Sequence, residues 1–112
     1  MGAMEELEKY SKDVKTGLHR FLDDEAVYLE CVQQFQEDYN FSVLGQVIQE
    51  KDYRKAFEVS HNLKGAAGNL GLMPLYRVLS GLVTKLREKK YEDLDTQYNL
   101  VVQEQKKLKE YI

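Results

Sequence analysis

His61-Asn62-Leu63-Lys64-Gly65-Ala66-Ala67-Gly68-Asn69-Leu70-Gly71 reads as the second half of a helix with two unlike faces. At about 100° per residue, His61, Lys64, Gly65 and Gly68 stand at i, i+3, i+4 and i+7 and share one face. Ala56, Val59, Leu63, Ala67 and Leu70 gather on the other, a narrow apolar stripe suited to packing on neighbouring helices. His61 is therefore expected to point at solvent. A glycine inside a helix costs about 1 kcal/mol relative to alanine, so two of them on the histidine's own face call for a reason. The simplest is steric: neither glycine carries a side chain that would keep another macromolecule away from the imidazole. Lys64 adds a point charge suited to an anion such as a phosphoryl group. The pattern reads as a nucleophilic histidine, a cation to hold a transferred group, and a cleared patch for a docking partner. Phe57, one turn before His61 on the same face, is read as part of that docking face.

Outward from this stretch the chain is punctuated as a series of helices. Asp52 is a suitable N-cap for the histidine helix, and Gly71 suits a left-handed C-cap. Pro74 sits well in the first turn of the next helix. There Leu75, Leu79, Leu82 and Leu86 step by four, three and four, ending in Lys85, Arg87, Lys89 and Lys90, the basic end that the helix dipole favours. In a last helix Leu94, Tyr98, Val101, Leu108 and Ile112 form a seam interrupted by Gln105. Before the histidine helix, Asp23 and Asp24 precede a helix with Tyr28, Cys31, Val32 and Phe35 as core, and Val43, Leu44, Val47 and Ile48 mark another. Leu7, Tyr10 and Val14 predict a first amphipathic helix that Gly17 breaks. The predicted helices span about 5–15, 24–38, 41–49, 53–70, 74–89 and 93–111, with residues 1–4 an expression scar or a disordered N-terminus. No alternating apolar run or hairpin turn signals a strand. The expected fold class is all-α: an antiparallel four-helix bundle with two additional short N-terminal helices, the whole of 1–112 being one domain.

Composition narrows the function. A chain of 112 residues can bury one core but not a core plus a nucleotide-binding enzyme domain, and no glycine loop ahead of a Lys-Ser/Thr pair is present to cradle nucleotide phosphates. The formal net charge of -3, with charged residues dispersed along the chain, leaves no electrostatic footprint for nucleic acid. Cys31 is the single cysteine and is read as a reduced, buried thiol. No apolar run is long enough for membrane insertion and no signal peptide is visible, so a soluble, cytoplasmic monomer is expected. His19 and His61 lie in different segments with no carboxylate at ligand spacing from His61, so no metal site is expected. Nothing marks Cys31 as an activated nucleophile, and no nucleophile elbow occurs.

The segment His61-x-Leu63-Lys64-Gly65, with Gly71 ten residues after the histidine and Gly68 also in place, resembles the motif of histidine-containing phosphotransfer (HPt) domains. Gly17-Leu18-His19-Arg20-Phe21, with Tyr28 and Phe35, resembles the family's leading segment and following helix. The resemblance thus covers roughly 17–86. It implies a helical bundle whose His61 accepts a phosphoryl group from an aspartyl phosphate on a receiver domain and passes it to another receiver's aspartate. His61 would be the phosphoacceptor, through Nε2, and Lys64 would stabilise the phosphoryl oxygens. Gly65, Gly68 and Phe57 would form the receiver-docking face. The partners implied are receiver (response-regulator) domains and a hybrid sensor histidine kinase. No cofactor is expected on this chain, Mg²⁺ being supplied by the receiver. One departure stands out: many relatives carry Glu or Gln twenty-two residues after the histidine, where this chain has Val83, so Thr84 or an ordered water is the expected substitute at the imidazole. Competing readings are the phosphoacceptor domain of a chemotaxis-type histidine kinase, against which Val83 counts; the dimerisation domain of a sensor kinase, against which Asn62 counts; and a non-catalytic helical adaptor.

Overall fold

The computed structural model describes residues 2–112. These residues form seven helices and no strand: α1 (Ala3–Tyr10), α2 (Val14–His19), α3 (Glu25–Gln36), α4 (Asn40–Gln49), α5 (Tyr53–Leu70), α6 (Met73–Arg87) and α7 (Leu94–Lys109). Helices α4 to α7 make the expected antiparallel four-helix bundle, in which α5 lies between α4 and α6 while α7 closes the ring on α6 and α4. Helix α3 packs on α7 and α5, and α2 lies across α5 near its C-terminal end. The molecule is elongated, with extents of 42 × 23 × 21 Å.

Local chemistry sets the ends of the central elements. Asp24 accepts the Val27 N–H at 3.2 Å and Asp52 accepts the Lys55 N–H at 3.2 Å, so each starts its helix with a satisfied amide. Gly71 ends α5 in the left-handed region at φ 75°, and the Leu72 N–H donates to the Ala67 carbonyl at 2.9 Å, closing the turn that sends the chain back as α6. The interior is filled by Tyr28, Phe41, Leu44, Leu75, Leu79 and Leu82, all essentially inaccessible. Burying a side chain of this size contributes about 1.5–3 kcal/mol, so the leucine seam of α6 is a main source of cohesion.

Several expectations are corrected at the periphery. The single N-terminal helix expected over 5–15 is two helices, α1 and α2, and the break falls at Ser11 rather than at Gly17. Ser11 leaves the helix because its hydroxyl donates to the Gly71 carbonyl at 2.6 Å and accepts the Met73 N–H at 3.2 Å, tying the N-terminal segment to the α5–α6 turn. Gly17 lies inside α2, where an added Cβ would meet the Leu70 carbonyl and come within 3.0 Å of the Tyr28 ring. It is a close-approach glycine, not a breaker. Ala3 and Met4, expected within a scar or disordered start, are helical; residue 1 of that expectation lies outside the described residues. Asp24 is the cap of α3, while Asp23 sits at φ 60° in the preceding turn. Helices α6 and α7 stop short of 89 and 111, Lys89 taking a left-handed φ of 58° where α6 ends. Cys31 is half-buried rather than buried, because it sits on the edge of the apolar stripe of α3. Ile112 is exposed, lying beyond the end of α7. Gln105, the interruption in the last seam, exchanges hydrogen bonds with Gln36 of α3: each side-chain amide donates to the other's backbone carbonyl, at 2.8 and 3.0 Å.

Candidate functional site

The site is built on α5. Ala56, Leu63, Ala67 and Leu70 are buried as the periodicity predicts, whereas Val59 is only partly so. Ser60 joins the buried face, its hydroxyl satisfied by donation to the Ala56 carbonyl at 2.7 Å, the local bond that lets a serine sit inside a helix. With that face committed to the core, His61 projects into solvent.

Three neighbours define its surroundings. Phe57, half-buried one turn earlier, lies nearly parallel to the imidazole, with 5.7 Å between centroids and 12° between planes. The Arg87 guanidinium, from the far end of α6, stands 5.5 Å from the centre of the Phe57 ring, within cation–π range. Beyond Phe57 the Tyr53 ring stacks on Tyr91, 3.8 Å apart and 9° from parallel. An open groove of about 570 Å³ runs along this aromatic row, lined by Tyr53, Arg54, Phe57, Leu86, Arg87 and Tyr91 among others. Phe57 therefore packs against the core with one edge and borders the groove with another.

On the other side of His61 the two glycines behave differently. An added Cβ at Gly65 would find nothing within 4 Å, so this position is open space beside the histidine. At Gly68 the same atom would lie 3.0 and 3.1 Å from Cδ1 and Cε1 of Tyr76. The space beside Gly65 is thus clear, whereas Gly68, half-buried, has the edge of a ring from α6 against it. Antiparallel packing is the cause. Residues equally spaced on either side of Leu72 face each other, which sets Tyr76 against Gly68 and Arg87 against Phe57. Lys64, half-buried, directs its Nζ over the same Tyr76 ring, 5.7 Å from the centroid. Arg20, from the segment after α2, donates to the Gly68 and Asn69 carbonyls at 3.1 and 2.8 Å and so adds a side-chain donor where α5 ends.

The same register sets Val83 opposite His61, and Val83 is wholly buried. Thr84, expected to substitute for the missing acid, is exposed, and among the described residues no side chain is hydrogen-bonded to the His61 ring. A threonine one residue past the facing position is turned about 100° away on its helix. Ser80, which faces Lys64 in this register, has a buried hydroxyl with no hydrogen-bond partner among the described residues. His19 lies elsewhere, paired through Nδ1 with Asp23 at 2.6 Å. Among the described residues no three His, Cys, Asp or Glu converge as a metal site would require, and no helix is long and apolar enough to cross a membrane.

Sequence reading placed His61, Lys64, Gly65 and Phe57 on one face and missed Tyr76, Arg87 and Arg20. A signal for the first two was present, because a two-residue turn at Gly71-Leu72 sets which residues of the next helix oppose His61; Arg20 had none. The arrangement presents an accessible imidazole, open space one turn along, two cations held on aromatic rings and an apolar groove. That is the equipment for receiving an anionic group from a second protein. A family model for the Hpt domain matches residues 4–110. No curated protein and no solved structure matches the chain.

Proposed function

The chain belongs to the Hpt domain family, whose members carry out histidine phosphotransfer in two-component systems, and on that premise we propose that His61 is its phosphoacceptor in a relay between receiver-domain aspartates. The observation that carries this reading is the exposed imidazole in mid-helix beside the unobstructed Gly65 position. The imidazole lone pair, at Nε2, attacks the phosphorus of a receiver's aspartyl phosphate. An N–P bond forms as the acyl-phosphate P–O bond breaks, and the electron pair leaves with the aspartate carboxylate. The proton on the other ring nitrogen stays in place. Return to a second receiver reverses these events.

Such in-line transfer depends mainly on positioning and charge. The receiver brings the Mg²⁺ and most of the charge stabilisation, while Lys64 offers a cation to the phosphoryl oxygens from this chain. Gly65 leaves the approach clear, and Phe57, with the groove beside it, offers the apolar contact. Hydrophobic Val83 opposite His61 means that the ring meets the partner without a carboxylate behind it, which we expect to cost rate rather than activity. The protein acts in this reading as a cytoplasmic, monomeric phosphocarrier with receiver domains as partners, one of them part of a hybrid sensor kinase.

Incubation with a phosphorylated receiver tests the reading. The chain should acquire an acid-labile, base-stable phosphate on His61, and His61→Gln should fold normally and acquire none. Label retained by that variant, or found on His19, refutes the assignment; absence of transfer together with tight receiver binding favours the adaptor.

A further inference from the structure

We propose that Tyr76 is a positioning residue for phosphotransfer, and that Gly68 is present to let the Tyr76 ring lie on α5 and seat the Lys64 ammonium beside the phosphoacceptor. The inference rests on the functional reading above and assigns a role to a side chain on a different helix.

Three observations converge on it. The Lys64 Nζ stands 5.7 Å from the centre of the Tyr76 ring. The ring edge occupies the space that a side chain at 68 would need, 3.0 Å from where its Cβ would be. Both partners are half-buried at the α5–α6 seam, where a cation–aromatic contact is less screened than on an open surface. A lysine has four rotatable bonds and loses considerable rotamer freedom when fixed. A lysine one turn from His61 whose chain is already confined on a ring loses less of it when the phosphoryl group arrives, which is the gain that preorganisation brings. The phosphoryl contact is charge-assisted and stronger than the resting contact with the ring, so the ring holds the ammonium without retaining it. A glycine one turn beyond Lys64 completes the unit, because even a methyl group there would crowd the ring edge and shift it by a few tenths of an ångström, and a longer side chain would shift it further. In this proposal Gly68 serves the packing of Tyr76, where the sequence-based expectation gives it, with Gly65, the task of clearing a path for the receiver.

Rapid-quench transfer from a phosphorylated receiver to the wild-type chain, Lys64→Ala, Tyr76→Leu, Tyr76→Phe and the Lys64→Ala/Tyr76→Leu double variant tests the proposal. The loss caused by Lys64→Ala should be about 2- to 5-fold smaller in the Tyr76→Leu background, the range corresponding to a cation–π contact. Tyr76→Phe, which keeps the ring, should behave as wild type. Gly68→Ala should change transfer in the same direction as Tyr76→Leu. In the unphosphorylated protein the Lys64 side-chain methylene protons should show an upfield ring-current shift in their NMR signals, kept in Tyr76→Phe and lost in Tyr76→Leu. This measurement needs no transfer, so it tests the seat even if the phosphoacceptor assignment fails; label persisting in His61→Gln reports that other failure separately. An undiminished Lys64→Ala effect in the Tyr76→Leu background overturns the proposal. So does faster transfer by Tyr76→Leu, which would mean that the ring withholds the ammonium. If Tyr76→Leu does not fold, the wild-type protein decides: absence of the ring-current shift refutes the seat, and its presence with a slowed Gly68→Ala supports it.

Discussion

Replacing Gly65 separates the demands of folding from those of transfer. Gly65 lies inside an eighteen-residue helix with nothing within 4 Å of an added Cβ, so no clash offsets the gain in helix propensity. Alanine there should stabilise the protein by about 1 kcal/mol. For 112 residues, at roughly 2.1 cal/mol/K per residue, the unfolding entropy is about 0.24 kcal/mol/K, and the melting temperature should rise by about 4 °C. Glutamine, also a good helix former, keeps much of that gain. Its effect on transfer should run the other way. The Cβ atoms of residues one turn apart are about 5–6 Å from each other, so a glutamine at 65 can extend over the imidazole into the space the partner must enter. Reacting atoms must approach to about 3–3.5 Å, and a misplacement of about 1 Å can cost 10²-fold. Gly65→Gln should therefore melt higher than wild type while transferring on the order of 10²-fold more slowly, and Gly65→Ala should lose much less. Calorimetry and rapid-quench transfer on the same preparations check both halves. A Gly65→Gln protein that melts lower, or that transfers at the wild-type rate, refutes the reading of this position as a cleared approach.

Lys64→Ala should slow transfer by roughly 5- to 150-fold, equivalent to about 1–3 kcal/mol, with thermal stability nearly unchanged and only partial rescue by Lys64→Arg; rapid-quench kinetics at saturating receiver measures it. Gly17→Ala should destabilise the fold by roughly 2–4 kcal/mol by driving α2 off the Leu70 carbonyl and breaking the 2.6 Å bond that the Tyr28 hydroxyl donates to it, read from the denaturation midpoint. Ser80→Ala should leave stability unchanged or raise it slightly, since the hydroxyl removed is buried without a partner; a clear loss in chemical denaturation would show that the hydroxyl is satisfied in solution. Burial, reinforced by neighbouring Glu104, pushes the Tyr10 phenol above its ordinary value. The unfolded chain then ionises first as pH rises, so this group's contribution is intact below about pH 10 and declines above it. Tyr10→Phe should accordingly flatten the loss of stability on the alkaline side, as followed by melting temperature against pH.

The histidine helix was legible from the chain alone because its determinants are local. An aspartate caps its own amides, a glycine where the apolar pattern stops can turn left-handed without steric cost, and a periodicity of 3.6 assigns each residue to a face. Those three facts place the ends of α5, the outward aim of His61 and the apolar seams of the bundle. They say nothing about two surfaces meeting. Gly65 and Gly68 are alike in sequence, one open and the other under Tyr76, and the difference arises only when α6 folds back along α5 in a register set by the Gly71 turn. Arg87 reaches Phe57 by the same register. The N-terminal segment was misread for a related reason: Ser11 leaves its helix to bind the α5–α6 turn and Gly17 stays in its helix to approach Leu70. Both choices are compensated by contacts from more than fifty residues away along the chain, and propensity, being a sum over neighbours, carries no term for them.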